Sequence, residues 1–128
     1  MRVLLDTHVL IWMFETPAKI KKPTEDLIKD RANVVFVSAV SAWEIALKVR
    51  LGKLQFDANF LANFDVNVRG LSFVPIPIVS AQMIAGAGIP GSHNDPFDRL
   101  LAGQALVEQL SVVTADPAFK NLGVPIVW

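Results

Sequence analysis

Four acidic residues stand at positions from which their carboxylates can act together. Asp6 directly follows an apolar run, and Asp116 comes two residues after the end of another. Asp98 falls in the first turn of a predicted helix, and Glu44 falls on a helix that follows a third apolar run. Functional groups in a parallel sheet gather at the carboxyl ends of the strands. We therefore expect side chains from these four separate segments to converge on one edge of a sheet.

Convergent carboxylates repel one another, and a fold tolerates them when a divalent cation neutralises the cluster. Hard oxygen ligands favour Mg²⁺ or Mn²⁺ over zinc. Such a metal lowers the pKa of a bound water and stabilises charge on a transferring phosphoryl group. The four acids therefore predict a metal site for phosphodiester hydrolysis that needs no nucleophilic side chain.

Each acid also has a structural interpretation. Asp6 can cap the helix that follows it, and Asp116, which precedes a proline, has the same capping signature. Glu44 completes a formal capping box, Ser41-Ala42-Trp43-Glu44, although the apolar stripe begins at Val40 and places Glu44 inside the helix. The two interpretations, metal ligand and helix cap, stay open for these acids.

Asp95 and Asp98 divide these roles between them. Asp95-Pro96 combines a preferred N-cap residue with proline at the first helical position. That assignment explains Asp95 as a cap and leaves Asp98 available for chemistry. His8 and His93 are interpreted as hydrogen-bonded structural residues, and Trp12 and Trp43 as core residues.

The composition limits the class of protein. The chain has 128 residues, of which 52% are hydrophobic and 19% charged, and this predicts one domain spanning residues 1–128. The absence of cysteine excludes disulfides, thiolate metal sites and a cysteine nucleophile, so we expect a cytoplasmic location. No apolar run approaches the roughly 18 residues of a membrane span, and Asp6 and His8 interrupt the apolar start, so no signal peptide is predicted.

The net charge is zero, but the charges are unevenly distributed. Residues 1–53 hold nine Lys/Arg and six Asp/Glu, and residues 54–128 hold three and six, which gives +3 and −3. The basic residues concentrate at Lys19, Lys21, Lys22, Lys29 and Arg31, and again at Lys48, Arg50 and Lys53. We interpret the first group as solvated helix faces.

Strands and helices alternate along the chain, which predicts an α/β fold with a mostly parallel sheet. Strands are predicted at Val3–Leu5, Val34–Val37, Phe73–Ile76, Ser111–Thr114 and Val124–Trp128. Helices are predicted at His8–Phe14, Pro23–Arg31, Ser38–Leu51, Phe56–Val68, Val79–Ala85 and Asp95–Leu110, with a loop from Gly86 to Asn94. On the third helix, Val40, Trp43, Leu47 and Leu51 form the expected inner stripe.

Four segments in this order resemble a known family. They are Leu4-Leu5-Asp6-Thr7-His8, Ser38-Ala39-Val40-Ser41-Ala42-Trp43-Glu44-Ile45-Ala46, His93-Asn94-Asp95-Pro96-Phe97-Asp98-Arg99-Leu100-Leu101 and Val113-Thr114-Ala115-Asp116. Together they look like a PIN domain, and specifically like the VapC-like toxins of toxin–antitoxin pairs. The resemblance covers nearly the whole chain.

The resemblance implies a Rossmann-like sheet of four or five parallel strands and an Mg²⁺- or Mn²⁺-dependent endoribonuclease. Asp6 and Asp98 match the family's principal metal-binding acids, and Glu44 and Asp116 match the rest of its acidic quartet. Supporting roles around the metal or the substrate fall to Thr7, Asp95, Arg99, Thr114, Lys48 and Arg50. The three basic residues among them, Arg99, Lys48 and Arg50, are expected to hold RNA phosphates. The family also implies a homodimer and a cognate antitoxin, without a membrane partner.

Other functions fit the residues less well. Haloacid-dehalogenase-like phosphatases need a second aspartate two residues after Asp6, where this chain has His8. A response-regulator receiver needs an acidic pair at the first strand and a late lysine, and neither is evident. A housekeeping PIN nuclease of RNA processing and a non-catalytic binding module with the same fold stay open as alternatives.

Overall fold

Five strands form one sheet in the computed structural model, which describes residues 1–128. The strands are β1 (Arg2–Leu5), β2 (Val34–Ser38), β3 (Val74–Ile76), β4 (Ser111–Val113) and β5 (Ile126–Val127). Their order across the sheet is β3-β2-β1-β4-β5, and every neighbouring pair is parallel. The prediction of a four- to five-stranded, mostly parallel sheet is therefore confirmed, and all five carboxyl ends share one edge.

Seven helices connect and flank the strands. They are α1 (Thr7–Glu15), α2 (Lys22–Lys29), α3 (Ala39–Arg50), α4 (Ala58–Ala62), α5 (Phe64–Gly70), α6 (Ser80–Ala87) and α7 (Pro96–Glu108), and two 3-10 helices span Pro17–Lys19 and Pro117–Leu122. None of these helices has the length and apolar character needed to cross a membrane.

The sheet is buried on both faces, because helices pack on each side of it. One hydrophobic cluster gathers α1, α3 and α5 residues such as Val9, Ile45 and Val68 around β1 and β2. The second gathers α7 residues such as Leu101 and Ala105 with Val112 of β4. Strands covered on both faces read as continuous apolar runs, which is why β1 and β2 were recognisable in the sequence.

Two predictions about helices are wrong. The single helix expected over residues 56–68 is two short helices, because Asn63 leaves helical geometry at φ −132° and ψ 54°. The inner stripe expected on α3 is correct at Val40, which is buried, and wrong at Trp43 and Leu51, which are 65% and 53% exposed. The buried face of α3 combines Val40 with Ser41, Glu44 and Ile45. Trp43 is thus not a core residue.

Helices α6 and α7 cross at two glycines. A β-carbon on Gly86 would overlap the carbonyl oxygen of Arg99, and one on Gly103 would overlap the carbonyl oxygen of Gln82. Neither glycine has a positive φ, so close approach of the backbones is what requires them. This crossing fixes the path of α7, whose first turn carries Asp98.

Candidate active site

Asp6 lies at the carboxyl end of β1 and begins α1. Its Oδ1 accepts a hydrogen bond from the His8 backbone N–H at 3.3 Å, and its Oδ2 accepts one from the Thr114 hydroxyl at 2.8 Å. The residue is only 3% exposed. Asp6 is therefore a helix cap, as one interpretation held, and also a buried carboxylate at the edge where functional groups gather.

Asp98 lies one turn into α7, which Asp95 begins. The Asp95 carboxylate accepts hydrogen bonds from the backbone N–H groups of Phe97 and Asp98 at 2.9 and 3.2 Å, so Asp95 is the cap that the sequence predicted. Asp98 is left without a capping role and is 7% exposed. Its Oδ2 lies 3.0 Å from Nε2 of His93.

The electrostatic environment of Asp98 is unfavourable for a charged carboxylate. Burial raises the pKa of Asp98 to about 6, the hydrogen bond to His93 opposes the shift, and the negative charges of Asp95 and Asp6 reinforce it. Asp6 is thus close enough to act on Asp98 through space. Both carboxylates are buried, one directly after β1 and the other in the first turn of α7, and neither has a lysine or arginine in ion-pair contact.

Glu44 is buried in the interior of α3 at 3% exposure, as expected for a residue beyond the first turn. Its Oε2 forms an ion pair of 2.6 Å with Nζ of Lys48, one turn further along. The hydroxyls of Thr7 and Ser41 share a buried hydrogen bond of 2.8 Å, which ties the start of α1 to the start of α3. This bond links the segments that carry Asp6 and Glu44.

Asp116 is placed differently from the other three acids. It is exposed and caps the 3-10 helix Pro117–Leu122 by accepting a hydrogen bond from the Ala118 N–H at 2.9 Å. Its own N–H donates to the Thr114 hydroxyl at 3.0 Å. Asp116 therefore reaches Asp6 only through Thr114, whose buried hydroxyl accepts from one aspartate and donates to the other.

The acids do not form a closed metal cage. No group of three or more histidine and acidic side chains lies close enough together to hold a metal ion. Mg²⁺, however, keeps several of its waters and binds proteins through one or two carboxylates together with substrate phosphates. The paired carboxylates of Asp6 and Asp98 fit that pattern, and the unfavourable charge on Asp98 is what such a cation would relieve.

Arg99 ties together the loop that precedes α7. Its guanidinium donates to the carbonyl oxygens of His93, Ile89, Gly91 and Gly86, the last three at 2.8, 3.0 and 3.2 Å. These contacts use four of its five N–H groups. The geometry favours a loop-ordering role for Arg99 over phosphate binding, whereas Arg50 is exposed on α3 and Lys48 is occupied by Glu44.

Both histidines contact the site, which sequence reasoning did not foresee. His93 is hydrogen-bonded, as expected, but its partner is Asp98. His8 has its Nδ1 3.7 Å from Oδ1 of Asp6, and the hydrogen bond to Asp6 raises the pKa of His8. Their positions two residues after Asp6 and five before Asp98 were the available signal.

A separate cavity lies away from these acids. It measures about 490 Å³ and is lined by residues at the amino ends of β2 and β3, including Val35 and Phe73, and by Met13 and Ile28. None of the four predicted site acids lines it. The acids Asp6 and Asp98 lie instead at the carboxyl edge of the sheet.

A parallel α/β sheet with buried carboxylates at its carboxyl edge defines the class of protein. The PIN domain family matches residues 3–125, and the chain belongs to that family. The resemblance and the fold predicted from it are thereby confirmed. Ribonuclease VapC22 of Mycobacterium tuberculosis (strain ATCC 25618 / H37Rv) is 25% identical over 122 residues, which cover 93% of this chain and 90% of that protein.

Solved structures show the same fold. The crystal structure of VapBC2 from Rickettsia felis bound to a DNA fragment from their promoter matches with a TM-score of 0.71 and 15% identity, covering 99% of this chain and 98% of the other. FitAcB from Neisseria gonorrhoeae matches with a TM-score of 0.62 and 18% identity, covering 98% and 96%. At these identities the likeness shows the fold alone.

Proposed function

We propose that this protein is a metal-dependent endoribonuclease and the toxin of a toxin–antitoxin pair. The observation that carries the proposal is the pair of buried carboxylates, Asp6 and Asp98, held at the carboxyl edge of a PIN-domain sheet. A relative along nearly the whole chain is named a ribonuclease, and structures of similar fold are VapBC and FitAB complexes. Those names support an RNA substrate and an antitoxin partner for this chain.

Asp6 and Asp98 would hold Mg²⁺ or Mn²⁺, which when bound supplies an activated water and charge stabilisation at the phosphate. Thr114 and His93 orient the two carboxylates through their hydrogen bonds, as outer-shell partners of metal ligands do. Glu44 and Asp116 complete the proposed acidic set. Asp116 caps the Ala118 N–H through Oδ1, which leaves its Oδ2 to join the set.

The first experiment is cleavage of a mixed pool of structured RNA by purified protein with Mg²⁺ or Mn²⁺. We expect cleavage that EDTA abolishes and that Asp6→Asn and Asp98→Asn each reduce by at least about a hundredfold, since even an outer-shell substitution costs 10- to 100-fold. Asp65→Asn, which changes an exposed acid of α5, is the matched control and should retain activity.

The alternatives predict different outcomes. A non-catalytic binding module would cleave no RNA and would gain no thermal stability from Mn²⁺, and that pair of results would contradict the nuclease proposal. A housekeeping nuclease would cleave RNA yet be harmless when expressed without a partner. We expect instead that expression of the wild type alone arrests growth and that expression of Asp6→Asn does not.

A homodimer and a cognate antitoxin belong to the same proposal. The structural neighbours VapBC2 and FitAB are complexes of two components, which supports an antitoxin for this chain. Co-expression with a neighbouring antitoxin gene should abolish the growth arrest, and sedimentation of the purified chain should give twice the 14.0 kDa chain mass. A monomer at micromolar concentration would contradict the dimer without affecting the nuclease.

A further inference from the structure

An aromatic and basic surface, here called the aromatic patch, adjoins the acidic edge. It consists of His8, Trp12, Lys19 and Trp128. The His8 and Trp12 rings, one helical turn apart on α1, have centroids 6.3 Å apart. Trp128 meets Trp12 edge-on at 5.9 Å, and Nζ of Lys19 lies 5.4 Å from the centre of the Trp12 ring. Three rings and a cation thus form one continuous surface.

The patch and the acids share the carboxyl edge of the sheet. Trp128 follows β5, as Asp6 follows β1, and the two strands are parallel members of one sheet. Thr114 connects them, because its N–H donates to the Val127 carbonyl at 3.1 Å and its hydroxyl donates to Asp6. His8 closes the gap with its Nδ1 3.7 Å from Asp6. A substrate bound at Asp6 must therefore pass close to His8.

Packing accounts for only part of this arrangement. Trp12 and Trp128 are partly buried against the first hydrophobic cluster, which holds their rings in place. The His8 side chain is 50% exposed and belongs to neither cluster. Its ring thus contacts Trp12 on one side and is half open to solvent.

Lys19 differs from the lysines that follow it. Lys22 forms an ion pair with Asp26 at 2.7 Å, and Lys29 pairs with Glu25, each one turn away on α2. Lys19 has no acidic side chain in ion-pair contact and rests over the Trp12 ring. Its charge is therefore available to an anion at the patch.

We propose that the aromatic patch is a nucleobase subsite, at which an unpaired base next to the cleaved phosphate stacks on His8 while Lys19 contacts a neighbouring phosphate. The proposal rests on the ribonuclease function above and specifies its substrate as single-stranded at this nucleotide. Proteins recognise unpaired RNA by stacking bases on aromatic and histidine rings beside basic groups. A base within a duplex offers no free face for this contact.

The test uses an RNA in which the wild-type cleavage site has been mapped. Abasic nucleotides are introduced one at a time within three positions on either side of that site, and kcat and KM are measured separately. Removal of one base should lower kcat/KM of the wild type by roughly 5- to 100-fold, mainly through KM. His8→Ala should show the same loss on the intact RNA and no further loss on the abasic RNA.

Two variants separate stacking from other roles. His8→Phe keeps an aromatic ring but loses the contact with Asp6, so it should retain most of the wild-type KM if stacking is what His8 provides. Lys19→Gln should weaken binding several-fold, whereas Lys53→Gln, an exposed lysine after α3, should not. Thermal unfolding of each variant monitors the fold.

The outcomes distinguish this subsite from the function on which it rests. If the wild type cleaves RNA but His8→Ala and base removal lower kcat/KM by independent factors that multiply, the two changes do not act on one contact. That result would overturn the subsite and leave the ribonuclease proposal standing. The subsite would also be overturned if His8→Phe raised KM as much as His8→Ala does, or if the loss in His8→Ala were confined to kcat. Wild type that neither binds nor cleaves any RNA would overturn the ribonuclease proposal and the subsite together.

Discussion

At the scale of the residue, the buried position of Asp98 makes the free energy of unfolding depend on pH. Burial raises its pKa from 3.8 to about 6 in the folded protein. Well below pH 3.8 the group is protonated in both the folded and the unfolded states, so no penalty arises. Between pH 3.8 and about 6 the unfolded state releases the proton while the folded state still holds it, so the folded state loses stability, and the penalty is complete above about pH 6.

We therefore predict that metal-free wild type is less stable than Asp98→Asn above pH 7. The difference should reach up to about 3 kcal/mol, since each pKa unit is worth about 1.4 kcal/mol, and should fade toward pH 4. Urea unfolding from pH 4 to pH 8 in EDTA measures it. Mn²⁺ at pH 8 should then stabilise the wild type and not the variant. A pH-independent difference would show that Asp98 ionises normally in the fold.

Arg99 shows where residue type alone misleads. An arginine beside acidic motif residues is an expected phosphate ligand, and no sequence pattern indicates the backbone carbonyls that surround it. Those carbonyls belong to residues 86–93, whose path depends on the crossing of α6 and α7. Contacts between a side chain and a distant backbone have no local sequence pattern, so the loop-ordering role emerged only from the structure.

We predict that Arg99→Gln loosens this loop. Four partly buried or exposed hydrogen bonds from a charged donor are lost, so global stability should fall by about 2 to 4 kcal/mol, and the amides of residues 88–94 should exchange much faster. Arg69→Gln, at an exposed arginine of α5, is the control. Unchanged exchange together with weaker RNA binding would support the phosphate-binding role predicted from the sequence.

At the scale of the element, the pattern of hydrophobic residues was sufficient to predict the strands of the sheet. It was not sufficient to predict which face of a helix is buried. β1 and β2 are buried on both sides, so their apolar runs identified them without tertiary information. On α3 the apolar period misassigned Trp43, because Ser41 and Glu44 occupy the buried face as members of the site. Polar residues buried for function break the periodicity on which prediction depends.

The same limit applies to the four acids. Their capping positions at helix starts were readable, and Asp95, Asp6 and Asp116 all cap as the motifs indicate. Which of these acidic side chains also meet at one site depends on contacts between segments that are distant in the sequence. The exposed position of Asp116 could not be inferred from spacing, whereas the ion pair of Glu44 with Lys48 follows from their separation of four residues on one helix.

Close packing of α6 on α7 provides a prediction at this scale. Gly103→Ala should destabilise the fold by about 3 kcal/mol or more, because the added methyl group meets the backbone of Gln82 and Gly86 and no flexible side chain can yield. Gly70→Ala, where a β-carbon meets nothing within 4 Å, should be nearly neutral. Urea unfolding of both variants compares them. Equal stabilities would mean that the two helices can separate without cost.

At the scale of the whole molecule, charge constrains how RNA binds. The net charge is zero, and the half of the chain that carries Asp98 and Asp116 is acidic. Attraction for RNA must therefore come from the cations nearest the site, such as Lys19, and from metal at the acidic edge. Such a protein differs from basic nucleic-acid-binding domains, whose many phosphate contacts make binding steeply dependent on salt.

This balance predicts a shallow salt dependence. If three or four basic side chains contact phosphates, the logarithm of RNA affinity should fall with the logarithm of salt concentration with a slope of about −2 to −3, since single strands give about −0.7 per contact. Fluorescence anisotropy with a short unpaired RNA in constant Mg²⁺, from 50 to 300 mM KCl, measures the slope. Lys19→Gln should reduce it by a little less than one, and Lys53→Gln should leave it unchanged. A slope steeper than about −5 would require more cations than the acidic edge offers and would place the RNA on a different face of the protein.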